Sequence, residues 1–191
     1  DPHILKMNTL NLVYEGMFAG YNYVMELRRK YDCNMPWILL FDPTSACNLK
    51  CTGCWAAEYG DKLSMSFELL DRIIQEGKEL GIHMFIFSGG EPLSRKKDVI
   101  ALCEKHNDCT FLAFTNGTMI DEPFANEMKR VHNFIPAISV EGFEEATDSR
   151  RGKGTYQRVI RAMDLLKEKK LPFGISVCYT SKNVNETGSD E

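Results

Sequence analysis

The 191-residue chain, with 43% hydrophobic and 26% charged residues, has apolar material for one core and too little length for two comfortable domains. Lysine and arginine number 23 against 27 aspartates and glutamates, a net charge of -4, which gives no electrostatic basis for a nucleic acid or acidic membrane partner and leaves a small molecule or peptide. There is no run of eighteen apolar residues and no charged-then-apolar leader, so a cytoplasmic chain without membrane association is expected, and seven unevenly spaced cysteines fit a reducing compartment better than a disulfide framework.

The chain divides into an N-terminal helical extension, residues 1–36, and a core domain, residues 37–191. In the extension, Leu10, Val13, Met17, Tyr21 and Val24 recur at helical spacing and predict an amphipathic helix over residues 10–30. Gly16 and Gly20 stand four apart, a spacing that drives helix pairing mainly inside apolar spans. Glu15, Glu26, Arg28 and Arg29 exclude such a span, so close packing on the core is expected.

From residue 37 the apolar pattern alternates between short continuous runs and 3.6-residue spacing, the mark of repeated strand-helix units. Strands are expected over 38–43, 82–87, 110–115, 135–140 and 173–179. Between the first two, Ser66 opens a helix that carries Leu70, Ile73, Ile74 and Gly77 on its inner face and stops at Gly81. A second helix, over 93–106, turns Val99, Leu102 and Cys103 inward. A third starts at Asp121 with Pro123 in its first turn, and a fourth at Thr155 with Val159, Ile160, Met163 and Leu166 inward and Lys167, Lys169 and Lys170 at its end. The fold class is α/β, a partial (β/α) barrel of parallel strands whose following loops share one edge. Five strands cannot close a barrel that needs about eight, and the tail 183–191 is polar with no following helix. The core domain is therefore expected to stop short, to leave the fifth strand as an edge, and to bind its cofactors without processing a substrate alone.

Chemistry concentrates after the strands. Cys47, Cys51 and Cys54 fall within eight residues behind the first strand. Three soft ligands without an obvious fourth suit a metal centre with one open position, whereas a structural zinc site closes all four. The spacing leans towards an iron-sulfur centre and leaves open a zinc site completed by Cys33 or His83, or three inert thiols. Cys103, Cys109 and Cys178 read as core fillers. After the second strand stands Ser88-Gly89-Gly90-Glu91-Pro92, after the third Thr115-Asn116-Gly117, after the fourth Ser139-Val140-Glu141-Gly142. Each by itself is an ordinary glycine turn. Arg150 and Arg151 lie in a basic patch that would otherwise read as solvated surface.

Taken in order, these four motifs resemble the radical S-adenosylmethionine (radical SAM) enzymes over about residues 37–180, in the peptide-modifying, SPASM-like or MoaA-like branch. The resemblance implies a 4Fe-4S cluster on Cys47, Cys51 and Cys54, with S-adenosyl-L-methionine on its open iron. An electron passed to the sulfonium would release a 5'-deoxyadenosyl radical that takes hydrogen from a small-molecule or peptide substrate. A flavodoxin- or ferredoxin-type electron donor is implied as partner. Ser88, Gly89, Gly90 and Glu91 would hold the amino group of the cofactor. Thr115 and Asn116 would face substrate or cofactor, and Ser139 and Glu141 would meet its ribose and methionine parts. Arg151 would clamp its carboxylate. Two residues depart from the family pattern: Glu141 replaces the usual Asp, and Gly53 stands where an aromatic residue borders the adenine, a task that falls to Trp55 or to backbone. The rival reading is a non-catalytic zinc- or cluster-binding scaffold on a degenerate barrel.

Overall fold

The computed structural model describes residues 1–189, without the side chains of Gly16 and Met17. The end of the polar tail, Asp190 and Glu191, lies outside the described residues, as does the expected inward place of Met17. Five strands, β1 (Ile38–Phe41), β2 (Met84–Phe87), β3 (Thr110–Thr115), β4 (Phe134–Ser139) and β5 (Gly174–Ser176), form one parallel sheet in sequential order. Each pairs with the next, from Phe41 opposite Phe87 to Ser139 opposite Ser176. Parallel strands need crossovers, and α3 (Phe67–Glu79), α4 (Lys96–Lys105), α5 (Glu122–Val131) and α7 (Thr155–Glu168) supply them. All strand C-termini consequently open on one edge.

Local signals explain the boundaries. Ser66 Oγ accepts the N–H of Leu69 at 3.1 Å and opens α3, while Asp121 Oδ1 accepts the N–H of Phe124 at 2.9 Å and opens α5. Leu70, Ile74 and Gly77 of α3 are buried on the sheet. Gly77 is there because Phe85 is: a Cβ at 77 would stand 2.8 Å from its ring. Phe85, Phe87 and Phe111 stack through the sheet with ring centres 5.8 and 5.6 Å apart, and Phe41 meets Phe87 edge-on at 5.3 Å.

Four expectations are corrected. The second helix is split, a 3-10 turn over Pro92–Arg95 preceding α4. An additional helix, α6 (Glu144–Arg151), arises from a polar stretch with no apolar period. The fifth strand is only three residues long, and Cys178 lies beyond it and not inside it. The N-terminal extension is three helical segments: α1 (Pro2–Thr9), a π-helical stretch (Leu10–Ala19) and α2 (Tyr21–Tyr31). In the π-stretch the bonds run to the fifth residue back, as from Gly20 N to Glu15 O at 3.2 Å, so a 3.6-residue apolar stripe loses its register. Leu10, Val13 and Tyr21 are exposed, and Ile4, Asn8, Asn11 and Leu27 are buried instead.

The extension packs against the amino end of the sheet. Asn11 Nδ2 donates to the carbonyls of Asn107 and Cys109, and Asn8 Nδ2 to those of Ile4 and His132, all at 2.8–3.0 Å. Those of Asn107, Cys109 and His132 lie in the turns that enter β3 and β4. The opposite edge is left for the site. A short helix, α8 (Val184–Thr187), follows β5. Among the described residues no helix is long and apolar enough to cross a membrane.

Candidate functional site

The loop after β1 carries the three cysteines and is anchored by the loop after β2. Ser88 N donates to Phe41 O at 3.0 Å, Gly90 N to Thr44 O at 2.9 Å and Glu91 N to Ala46 O at 2.8 Å. This contact explains the glycine pair. A Cβ at Gly89, whose φ is +100°, would lie 2.6 Å from the carbonyl oxygen of Thr44, and one at Gly90 would strike the carbonyl oxygens of Ser45 and Ala46. The other face of the glycine shelf lines a cavity of about 450 Å³.

Cys47, Cys51 and Cys54 line that cavity and are folded onto it by local bonds. Cys54 N donates to Cys51 O at 3.2 Å, and Leu49 N to Cys47 Sγ at 3.4 Å. Thr52 N reaches across to Arg150 O at 2.8 Å, tying the loop to the end of α6. Gly53, at φ +68°, sits in open space, and Trp55 lines the cavity, packed edge-on against Tyr59. Burial pushes the Cys47 thiol up, with the Leu49 N–H pulling it down and the Glu91 carboxylate adding to the rise. Burial also raises Cys51, against the pull of Arg151 and Arg150. Thiolates here call for a cation among them.

The three Sγ atoms do not all lie within 4.8 Å of one another; the described group that does is His83, Asp108 and Cys109. Neither suggested zinc partner completes the cysteine loop. Cys33 is exposed ahead of β1, and His83, ahead of β2, sets Nδ1 3.1 Å from Asp108 O. Both belong to the amino end of the sheet.

Glu91 is almost wholly buried and bridges two loops. Its Oε1 accepts from Thr115 Oγ1 at 2.6 Å and Leu93 N at 2.9 Å, and its Oε2 from Asn116 N at 2.7 Å. Burial outweighs these donors and raises its pKa. Thr115 thus holds Glu91. Asn116, also on the cavity wall, donates to Asn48 Oδ1 at 2.8 Å, and its Nδ2 is 4.0 Å from Cys47 Sγ. Ser139, the last residue of β4, lines the wall beside them.

Glu141 is a correction. It does not line this cavity; buried behind it, it organises the wall. Its Oε1 accepts from Arg151 Nε at 2.9 Å and Nη2 at 2.6 Å and from Arg150 Nη1, while Oε2 accepts the N–H of Cys178 at 2.9 Å. Arg150 and Arg151 both line the cavity, and one carboxylate between two guanidiniums leaves the wall positive. Sequence reasoning singled out Arg151 and missed Arg150, Asn48 and Cys178. Adjacency to Arg151 was the available signal for Arg150; Cys178 had none, because the apolar pattern put it inside the last strand.

The Radical SAM superfamily model matches residues 41–187. Over 155 residues the chain is 29% identical to an Fe-coproporphyrin III synthase of Methanosarcina barkeri, covering 78% of this chain and 38% of that protein. Over 167 residues it is 32% identical to a cysteine-type anaerobic sulfatase-maturating enzyme of Clostridium perfringens, covering 76% of this chain and 45% of the relative. The fold superposes on native anSMEcpe with bound AdoMet and Cp18Cys peptide with a TM-score of 0.65 and 30% identity, over 80% of this chain and 46% of that one. The chain thus spans less than half the length of these relatives. With the family matched across most of its length and the cysteine loop, glycine shelf and Ser139 gathered on one cavity, the chain belongs to the radical SAM superfamily.

Proposed function

We propose that residues 37–191 are the core domain of a radical SAM enzyme that holds a 4Fe-4S cluster on Cys47, Cys51 and Cys54 and S-adenosyl-L-methionine in the adjoining cavity. The observation that carries this reading is the gathering of three thiols, the Gly89-Gly90 shelf, Ser139 and two arginines on one wall-to-wall site. When bound, the pair supplies reductive cleavage of the cofactor and hydrogen abstraction from a substrate.

The residues divide the remaining work. Cys47, Cys51 and Cys54 anchor the cluster. Backbone at Ser88, Gly89 and Gly90 offers polar groups to the amino end of the cofactor, and Glu91 holds that backbone in place through Thr115 and Asn116. Arg150 and Arg151 give its carboxylate a positive wall, Ser139 offers a hydroxyl beside it, and Trp55 offers a ring for the adenine in place of Gly53. Asn48 and Asn116 brace the cysteine loop. A peptide substrate is supported by the peptide-bound structure of a 30% identical relative. An electron donor of the flavodoxin or ferredoxin type and a cytoplasmic setting complete the proposal.

Anaerobic reconstitution with iron and sulfide tests it. A brown protein that forms 5'-deoxyadenosine from S-adenosylmethionine on reduction is expected. A colourless protein that binds zinc at the three cysteines and leaves the cofactor intact would establish the scaffold reading.

A further inference from the structure

Four thiols reach the cavity, one more than the cluster needs. Cys178 follows β5, the last strand of the sheet, and lines the cavity beside Arg150, whose carbonyl also holds the cysteine loop through Thr52 N. The Cys178 backbone is clamped on both sides. The N–H donates to Glu141 Oε2 at 2.9 Å, and the C=O accepts from Asn183 Nδ2 at 2.9 Å. Asn183 is itself buried and donates to Glu141 O at 3.0 Å. Glu141 is fixed in turn by Arg150 and Arg151. Cys103 and Cys109 are packed away in the core, whereas Cys178 is half-buried at the wall.

The rest of the wall offers hydroxyls, an amide, guanidiniums and rings: Ser139, Ser176, Asn116, Arg150 and Trp55 among them. Bonds from hydrogen to oxygen and nitrogen in such groups are far harder to break homolytically than S–H. With Cys47, Cys51 and Cys54 committed to iron, the Cys178 thiol holds the weakest bond from hydrogen to a heteroatom among these groups.

We infer that Cys178 donates a hydrogen atom to carbon radicals formed in this cavity, an inference that rests on the radical function proposed above. The S–H bond breaks homolytically, its hydrogen forms the new C–H bond, and sulfur keeps the unpaired electron. One electron from the low-potential donor and one proton from water restore the thiol. A substrate carbon that loses hydrogen to the cofactor-derived radical regains one from the Cys178 thiol. The reaction class is a redox-neutral hydrogen exchange at a C–H centre.

The test uses the reconstituted protein, S-adenosylmethionine and dithionite in D2O, without substrate, so that the only carbon radical available is derived from the cofactor. The Cys178 thiol exchanges to S–D, and the wild type is expected to release 5'-deoxyadenosine carrying deuterium at C5'. Cys178→Ser keeps the backbone bonds, and the deuterated fraction of its 5'-deoxyadenosine should fall several-fold below that of the wild type. Equal fractions in the two proteins overturn the assignment. No 5'-deoxyadenosine from the wild type overturns the radical function itself, and the assignment with it. A second readout needs no turnover: iodoacetamide labelling of each cysteine in the reconstituted wild type, mapped by mass spectrometry. At about ten times its Kd the cofactor should slow labelling of Cys178 about tenfold, in proportion to occupancy, and leave exposed Cys33 unchanged. Labelling of Cys178 at the same rate with and without cofactor overturns the assignment.

Discussion

At the scale of single residues, the cysteines separate by address. Replacing Cys47, Cys51 or Cys54 by Ala should remove most reconstituted iron and sulfide per chain, because a cluster with two of three protein anchors is labile. Cys103→Ala, deep in the core, should keep the iron and lower the melting temperature. Equal iron in all four variants would defeat the ligand assignment. Gly90→Val has a consequence the motif does not reveal. Its side chain would meet the carbonyls of Ser45 and Ala46 before any ligand, displacing the start of the cysteine loop. The variant should lose iron as well as cofactor affinity, with about 1–3 kcal/mol of stability from overpacking. Calorimetric titration and iron content measured together check this, and full iron with weakened cofactor binding would contradict it.

Glu91 gives a pH signature at the same scale. Burial raises its pKa above the ordinary 4.5, so the folded chain holds the protonated acid more readily than the unfolded chain. Its stabilising contribution is fully present below 4.5 and is lost as pH rises through the raised folded value. Relative to Glu91→Gln, the melting temperature of the metal-free wild type should therefore decline as pH increases from 4.5. A difference that stays flat over that window would show that Glu91 has no raised pKa.

At the scale of elements, two polar clasps hold helices that their apolar patterns do not place. The π-stretch is fastened to the amino end of the sheet by Asn11, and Asn11→Ala would leave the carbonyl of Asn107 without its side-chain donor and that of Cys109 with Asn133 Nδ2 alone. A loss of about 1–3 kcal/mol is expected in urea unfolding, with reconstituted iron unchanged because the site lies at the other end of the strands. Helix α6 is fastened by Glu141, which joins it to the ends of β4 and β5. Glu141→Ala would strand two partly buried guanidiniums and the Cys178 N–H, at a cost of about 3–5 kcal/mol. Because Arg150 O also receives Thr52 N, iron content should fall with it. Unchanged stability would mean that water replaces the carboxylate fully.

At the scale of the whole molecule, the sheet ends on β1 and β5 among the described residues. Leu40 is 54% and Ile175 60% exposed on those outer strands, beside Val177 and Tyr179. Open strand edges of this kind pair with other chains. The protein should associate with rising concentration in analytical ultracentrifugation, and Ile175→Lys should shift it towards monomer. Association that the lysine leaves untouched would place the contact elsewhere.

The α/β class, the parallel order of the strands and the addresses of the cysteine, glycine and serine motifs were legible in the chain because they rest on short-range rules. Strands and helices differ in apolar period, and parallel connections put every following loop on one edge. The N-terminal helix misled because a π-turn breaks the 3.6 spacing on which its inner face was read. What only the tertiary structure decided is which polar groups spend themselves on one another. Glu141 has the same formula whether it faces a ligand or two arginines, Glu91 is taken up by Thr115, Leu93 and Asn116, and Cys178 looks like any core thiol until the turn after β5 sets it on the cavity wall. Those pairings join residues 9 to 37 positions apart, except for the local Leu93 cap, and distance along the chain carries no record of which side chains burial brings together.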